Sequence, residues 1–353
     1  MKSSLLHTET RRVSGKGAGL RIAILGTRGI PNRYGGFEQI SETLAAGLVQ
    51  RGHEVTVYCS ALHPDKSSYW HGVRRILCAD PEDRLGTFGQ FLYDRNCLKH
   101  ARNMDGLEWK RSKYSAPVRR FLRSAEAWAV RYSHSHIADS PVIKSYLDDQ
   151  YGINARFIPY GANVQHHRSA DALLPYQLAP YSYFMLMARM EPENHVLEIL
   201  DGYMQSSSEK PMIVVGNTAN RYGQKLLQRF HSAPGIHFLG GIFNQEVVHQ
   251  LRGQASLYFH GHSVGGTNPS LLEAMASGAL IAAHRNPFNE AVLAKDAYYF
   301  SHPSEVAHLI LQLQGTDEER RTSVQQKIAA QFNWERVIDQ YEQIIHETCT
   351  ARP

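Results

Sequence analysis

The chain has 353 residues, 42% hydrophobic and 20% charged, which is a globular composition long enough for two domains, each with its own core. A formal net charge of +5 and a pI near 8.9 suit anionic partners such as nucleotide diphosphates, lipid phosphates or membrane surfaces, and are too mild to point to nucleic acid. The four cysteines, Cys59, Cys78, Cys97 and Cys349, form no C-x-x-C pair, which argues against a zinc or thioredoxin-like site and fits reduced thiols in a cytoplasmic protein.

Residues 1–19 lack the apolar core of a signal peptide and read as a loosely held arm. No run of 18 apolar residues occurs, so no membrane span is expected. Residues 20–25 (LRIAIL) read as a short, fully buried strand, and residues 54–59 (EVTVYC) as a second. Between them Phe37, Ile40, Leu44, Ala45 and Leu48 mark one face of a helix over 37–50. Strand, helix and strand in this order predict a βαβ unit and a parallel sheet.

The connection into that helix, GTRGIPNRYGGFE at 26–38, is long and glycine-rich. It reads either as a turn or as a phosphate-binding entry to the helix, because free amides at a helix start attract anions. It is not the dinucleotide fingerprint. Counted from Gly26, the later glycine positions of that pattern hold Arg28 and Pro31, which argues against a dehydrogenase.

In the middle of the chain, Asp105 stands in an Asp-Gly pair that reads either as a turn or as a site residue. Residues 109–123 hold six basic residues and no acidic one, interleaved with Trp109, Tyr114, Phe121 and Leu122. Such a stretch is either a solvated basic helix face or a surface for anionic lipid.

The second half repeats the strand and helix alternation. Residues 183–188, 212–215, 236–239 and 255–260 are apolar runs that predict buried strands, with a helix near 196–204. Two doubly wound halves joined around 175–180, with ligands at the carboxyl ends of their strands, are the resulting expectation. The most informative stretch is HGHSVGGTNPSLLEAMASGALIAA at 260–283. A strand ends at His260, a Gly-Gly-Thr-Asn-Pro loop follows, and a helix starts at Pro269, a residue suited to a first helical turn. Amides of Gly265, Gly266 and Thr267 are placed to meet a diphosphate, and Glu273, a turn further on, to accept from ribose hydroxyls. His260 and His262 share a strand face, but a metal site needs at least a third ligand, so a metal-free site without a cofactor is expected.

These motifs resemble glycosyltransferase family 4. The string GGFEQISETLAAGLVQRGHEVTVYCS is similar to its N-terminal signature, and GTRGIP…GGFE, DGLEWKRSKY, IADSPVIKSYL and GGTNPSLLEA resemble a bacterial rhamnosyltransferase branch. The resemblance implies a GT-B fold, α/β with two doubly wound Rossmann-like domains facing a cleft. It also implies a retaining transfer of sugar, with rhamnose from a dTDP-linked donor as the expected case. It further implies a glycan or lipid-linked sugar acceptor in polysaccharide synthesis, and a peripheral place at the inner face of the membrane through 109–123.

Carried onto this sequence, the resemblance assigns Arg28, Gly35 and Gly36 to the cleft and Asp105 to the neighbourhood of the reacting sugar. Arg189 is assigned to the diphosphate, Asn194 to hydrogen bonding with the substrate beside it, Ile242 and Phe243 to the base, and His262, Gly265, Gly266, Thr267 and Asn268 to the donor loop. Two positions depart from the family pattern: Gly265 stands where the first of two glutamates is usual, and Asn194 where a lysine is usual. Arg189, Asp105 and Glu273 are the expected catalytic residues. The expected division is an arm at 1–19, an acceptor-side domain at 20–178, a nucleotide-sugar domain at 179–332, and a terminal helix at 333–353 crossing back. HARNMDGLEW runs directly into a string that family members precede with another strand and loop. A βα step of roughly 20–40 residues is therefore expected to be missing near Arg102 and Asn103. A non-catalytic sugar-binding protein and a sugar-nucleotide epimerase remain the alternatives.

Overall fold

The computed structural model describes residues 19–33, 35–85, 87–100, 116–313 and 317–350. The expected step at Arg102 and Asn103, Asp105, and residues 109–115 of the basic segment lie outside the described residues.

The N-terminal half runs β1 (Arg21–Ile24), α1 (Gly36–Gln50), β2 (Glu54–Ser60), β3 (Tyr69–Trp70) and β4 (Val73–Cys78). It continues through α2 (Glu82–Leu85), α3 (Thr87–His100), α4 (Ala116–Tyr132), β5 (Ile137–Ala138), α5 (Pro141–Tyr151) and β6 (Arg156–Phe157). Strands β1, β2 and β4 pair in parallel with β3 antiparallel at the end, in the order β1-β2-β4-β3, while β5 and β6 form a separate parallel pair.

The sequence predicts residues 20–25 fully buried, and this is corrected: β1 alternates exposed and half-buried. The reason is its place at the edge of its sheet, with β2 on one side and no strand paired to the other among the described residues. The βαβ core is otherwise as the apolar spacing predicts. Leu44, Ala45 and Leu48 of α1 pack on Val55 and Val57 of β2.

The C-terminal half runs β7 (Phe184–Met187), α6 (Val196–Ser206), β8 (Met212–Val215), α7 (Arg221–Phe230), β9 (Ile236–Gly240), α8 (Gln245–Gly253) and β10 (Leu257–His260). Then follow α9 (Pro269–Ala276), β11 (Ile281–His284), α10 (Pro287–Leu293), β12 (Tyr298–Phe300), α11 (Pro303–Gln312), α12 (Glu318–Gln331) and α13 (Trp334–Thr350). The sheet is parallel in the order β12-β11-β10-β7-β8-β9. The chain thus winds outward from β7 in one direction and from β10 in the other, the doubly wound arrangement in which ligands sit where the order reverses. Both faces are covered. Tyr258 lies in one apolar cluster and Leu257 and Phe259 in the other, all at most 1% exposed. Burial of each such large side chain is worth about 1.5–3 kcal/mol.

Helix α13 returns to the N-terminal half. Ile338 packs with the α1 and β2 core, and Arg51 pairs with Asp339 at 2.6 Å and Glu342 at 2.7 Å.

Candidate functional site

Strands β7 and β10 lie side by side, with Phe259 opposite Leu186, and their carboxyl ends open into the reversal point of the sheet. Arg189 follows β7, and the 261–268 loop follows β10. The loops touch: a Cβ on Gly261 would stand 1.9 Å from the Asn194 carbonyl, so only glycine admits this approach. His195 adds a 2.8 Å hydrogen bond from Nδ1 to the Gly261 carbonyl, and its ring stacks on His284 at 3.7 Å between centroids.

Arg189 is exposed, with no side-chain hydrogen bond or ion pair among the described residues. Its backbone carbonyl accepts from Asn194 Nδ2 at 2.7 Å, while Asn194 Oδ1 accepts from His262 Nδ1 at 2.7 Å. Asn194, which the sequence assigns to the substrate, is 5% exposed and has both ends of its amide engaged. Because the Asn194 oxygen must accept, the neutral His262 ring carries its proton on Nδ1. His260 is buried, its Nε2 has no partner, and burial holds its pKa well below the ordinary value. It is a neutral ring under the loop.

The 261–268 loop itself is shaped by two unlike glycines. Gly265 has φ +109°, where a side chain is strained, and the nearest atom to a Cβ there is His262 Nε2 at 3.8 Å. A Cβ at Gly266 would lie 1.8 Å from Asp139 Oδ1. Thr267 is buried and its hydroxyl donates to the Asp139 carbonyl. Asn268 caps α9, accepting from Ser270 N at 2.9 Å, with Pro269 in the first turn.

Across the cleft stands the entry to α1. A Cβ on Gly36 would meet Pro269 Cγ at 2.7 Å, so this glycine lets the α1 and α9 starts approach each other. Gln39 Nε2 donates to Glu273 Oε1 at 3.1 Å. The other Glu273 oxygen pairs at 2.7 Å with Arg252, whose side chain is 1% exposed. The two glycine-containing loops singled out in the sequence therefore face each other. Arg28 is turned to Glu82, forming an ion pair, and its amide donates to Glu38 Oε1 at 3.1 Å. Gly35 sits beside Glu38 as the α1 N-cap.

On the far side of β9, Ile242 packs on the core while Phe243 is 90% exposed in the loop that follows. Asp139, Gln39 and Arg252 did not emerge from the sequence reading. Asp139 lies within the quoted IADSPV string, but nothing in its spacing reveals its distant partner.

His53, Glu342 and His346 lie close enough to hold a cation. His53 Nδ1 accepts from Leu20 N at 3.1 Å, so Nε2 carries the proton and donates to Glu342 at 2.8 Å. A metal would need that Nε2 lone pair, so the trio acts as a tether between α13 and the residues after α1.

Residues 86–163 match a family model described as a domain of unknown function (DUF1972). No curated protein matches the chain with significance. Among solved structures, the chain is similar to a sucrose-phosphate synthase from Thermosynechococcus elongatus, with TM-score 0.75, 17% identity, and 94% of this chain and 100% of that one covered. It is also similar to HepE from Anabaena, in complex with UDP and glucose, at TM-score 0.73 and 16% identity over 93% and 99% of the two chains. WaaG, a glycosyltransferase involved in lipopolysaccharide biosynthesis, gives 0.66 and 13% over 92% and 99%. What the chain shares with them at these identities is the fold: α/β with parallel sheets, the GT-B arrangement.

Proposed function

We propose that the chain is a glycosyltransferase that takes a sugar from a nucleotide diphosphate donor and passes it to a glycan or lipid-linked acceptor. The observation that carries this reading is the reversal point of the C-terminal sheet, where exposed Arg189 and the Gly265–Gly266–Thr267 loop meet the α1 entry across the cleft. Departure of the nucleotide builds negative charge on the diphosphate. A guanidinium and preorganised amides beside that charge stabilise it. Arg189 and the donor loop serve the diphosphate, Glu273 the ribose, and Ile242 with exposed Phe243 the base. The similarity to HepE, which binds UDP and glucose, and to the glycosyltransferase WaaG supports the substrate class.

The donor sugar in this proposal is rhamnose on dTDP, transferred with retention in bacterial polysaccharide synthesis, with Asp105 near the reacting sugar. These points rest on the motif resemblance. The proposed division is the one expected from the sequence, with 20–178 on the acceptor side and 179–332 on the donor side. Membrane contact would involve the basic segment and the rest of α4, where Trp128 is 55% and Tyr132 71% exposed and Arg131 lies over the Tyr132 ring. No helix among the described residues is long and apolar enough to cross a membrane.

Incubation with mixed nucleotide sugars and a lipid-linked sugar acceptor, read by mass spectrometry, tests the proposal. A glycosylated acceptor is expected. Donor binding with no product would favour a sugar-nucleotide binder, and an epimerised donor would favour an epimerase.

A further inference from the structure

The notch that Gly266 leaves in the donor loop is already filled. A Cβ there would stand 1.8 Å from Oδ1, 2.3 Å from Cγ and 2.3 Å from Oδ2 of Asp139, so a carboxyl group from the opposite half occupies the space. Asp139 follows β5, at the carboxyl end of that strand, and Ser140 behind it caps α5 by accepting from Val142 N at 3.2 Å. Thr267 ties the same two loops through its hydroxyl and the Asp139 carbonyl. The backbone on both sides is therefore held, and the carboxyl stands at a fixed place in the cleft.

That carboxyl has no cation beside it among the described residues. The basic groups on the elements around it are engaged elsewhere: Lys144 of α5 with Asp148, Arg156 of β6 with Glu347, and Arg252 behind α9 with Glu273. The other charged or titratable groups on the neighbouring elements are Arg189, which is exposed and unpaired among the described residues, Glu193, whose carbonyl accepts from Ser263 Oγ, His195, bonded to the Gly261 carbonyl, and His260, His262, Glu38 and Glu273. Burial raises the Asp139 pKa to about 7, against the opposing effect of its own backbone amide. A carboxylate offers several acceptor positions, and this one leaves most of them for a ligand.

Resting on the proposed donor site, the geometry points to Asp139 as a specificity-determining residue whose carboxyl accepts hydrogen bonds from hydroxyls of the transferred sugar. The chemistry of the ligand selects this role. A diphosphate presents only acceptors and negative charge, which repel a carboxylate, whereas sugar hydroxyls present donors. Ribose hydroxyls are assigned to Glu273, a helical turn further along, which leaves the transferred sugar beside Gly265 and Asp139. The Gly265 side is open, with nothing nearer than 3.8 Å to a Cβ there, so the sugar has room next to the carboxyl.

The test compares nucleotide sugar with nucleoside diphosphate. Binding of UDP, dTDP, UDP-glucose and dTDP-rhamnose to wild type, Asp139→Ala and Asp139→Asn is measured by titration calorimetry, with thermal melting as a folding control. Asp139→Asn is nearly isosteric with the native side chain and serves if Asp139→Ala does not fold. The expected result is at least a tenfold loss of affinity for the best nucleotide sugar in Asp139→Ala, a smaller loss in Asp139→Asn, and nucleoside diphosphate affinity within twofold of wild type in both. Equal losses for both ligands, or no loss for either, would overturn the role of Asp139 and leave the donor site standing. Failure of the wild type to bind any nucleotide diphosphate or nucleotide sugar would overturn the donor site itself, and this role with it.

Discussion

Glu273 and Arg252 form an ion pair beneath the 261–268 loop, Oε2 to Nη1 at 2.7 Å, with the guanidinium 1% and the carboxylate 19% exposed. Arg252 Nη2 also donates to Ser270 Oγ at 2.9 Å, so the cation braces the first turns of α9 from below. Glu273 thereby has a structural partner on one oxygen and Gln39, from the other half of the molecule, on the second.

Removing Glu273 should affect stability and binding together. Glu273→Ala leaves a buried guanidinium without its counter-charge, a change that costs about 3–5 kcal/mol when a partner of a buried pair is deleted. Nucleotide and whole donor should both weaken by a similar factor, about 1–3 kcal/mol for a hydrogen bond to a charged group. Urea denaturation and calorimetry measure the two effects. Unchanged nucleotide affinity would sink the ribose assignment.

The two loop glycines should respond differently to substitution. Gly265→Glu meets no close atom, but it puts a side chain at φ +109°, a strain of about 1–3 kcal/mol, and fills the open side of the loop. It should lower transfer from the native donor more than it lowers nucleotide affinity. A donor panel assayed against the unmodified protein gives the comparison, and better use of a glucose-type donor than of dTDP-rhamnose would refute the rhamnose proposal.

Asp139 should make stability fall as pH rises. Its folded pKa, about 7, lies above the ordinary carboxylate value. The folded state therefore holds the proton more tightly than the unfolded chain does. That contribution is complete below about pH 4 and is lost as pH rises through 7, at up to about 1.4 kcal/mol per pH unit. Asp139→Asn cannot ionise, so its melting temperature relative to wild type should rise between pH 4 and pH 8. A difference independent of pH would contradict the raised pKa.

His284 should act in the opposite sense. Burial, with His195 and His302 nearby, lowers its pKa to about 4. The unfolded chain takes up a proton near 6.5 and the folded protein resists until about 4, so stability should decline as pH falls through that window. His284→Gln should flatten this part of the profile in melts between pH 4 and 7. An unchanged acid limb would place the loss in other groups.

The sequence by itself determined the elements whose cause is local. Apolar spacing at Ile40, Leu44 and Leu48 makes the α1 face, unbroken apolar runs make β7, β8 and β10, and Pro269 after a capping Asn268 starts α9. The short strand β4 was not legible, because Arg74 and Arg75 interrupt its apolar pattern. Only the fold supplies Asp65 and the Ser67 carbonyl that satisfy Arg75.

Tertiary structure alone decided what the site residues touch. Position in the chain names Gly266 as part of a flexible loop, but not that an aspartate 127 residues earlier fills the space it leaves. It names Asn194 as a departure from a family pattern, but not that its amide is spent on Arg189 and His262. It places Glu273 on a helix, but not between Gln39 and Arg252. Helical and strand periodicity follow from forces among residues a few positions apart. These pairings depend on how two halves of the chain close on each other, which no local spacing records.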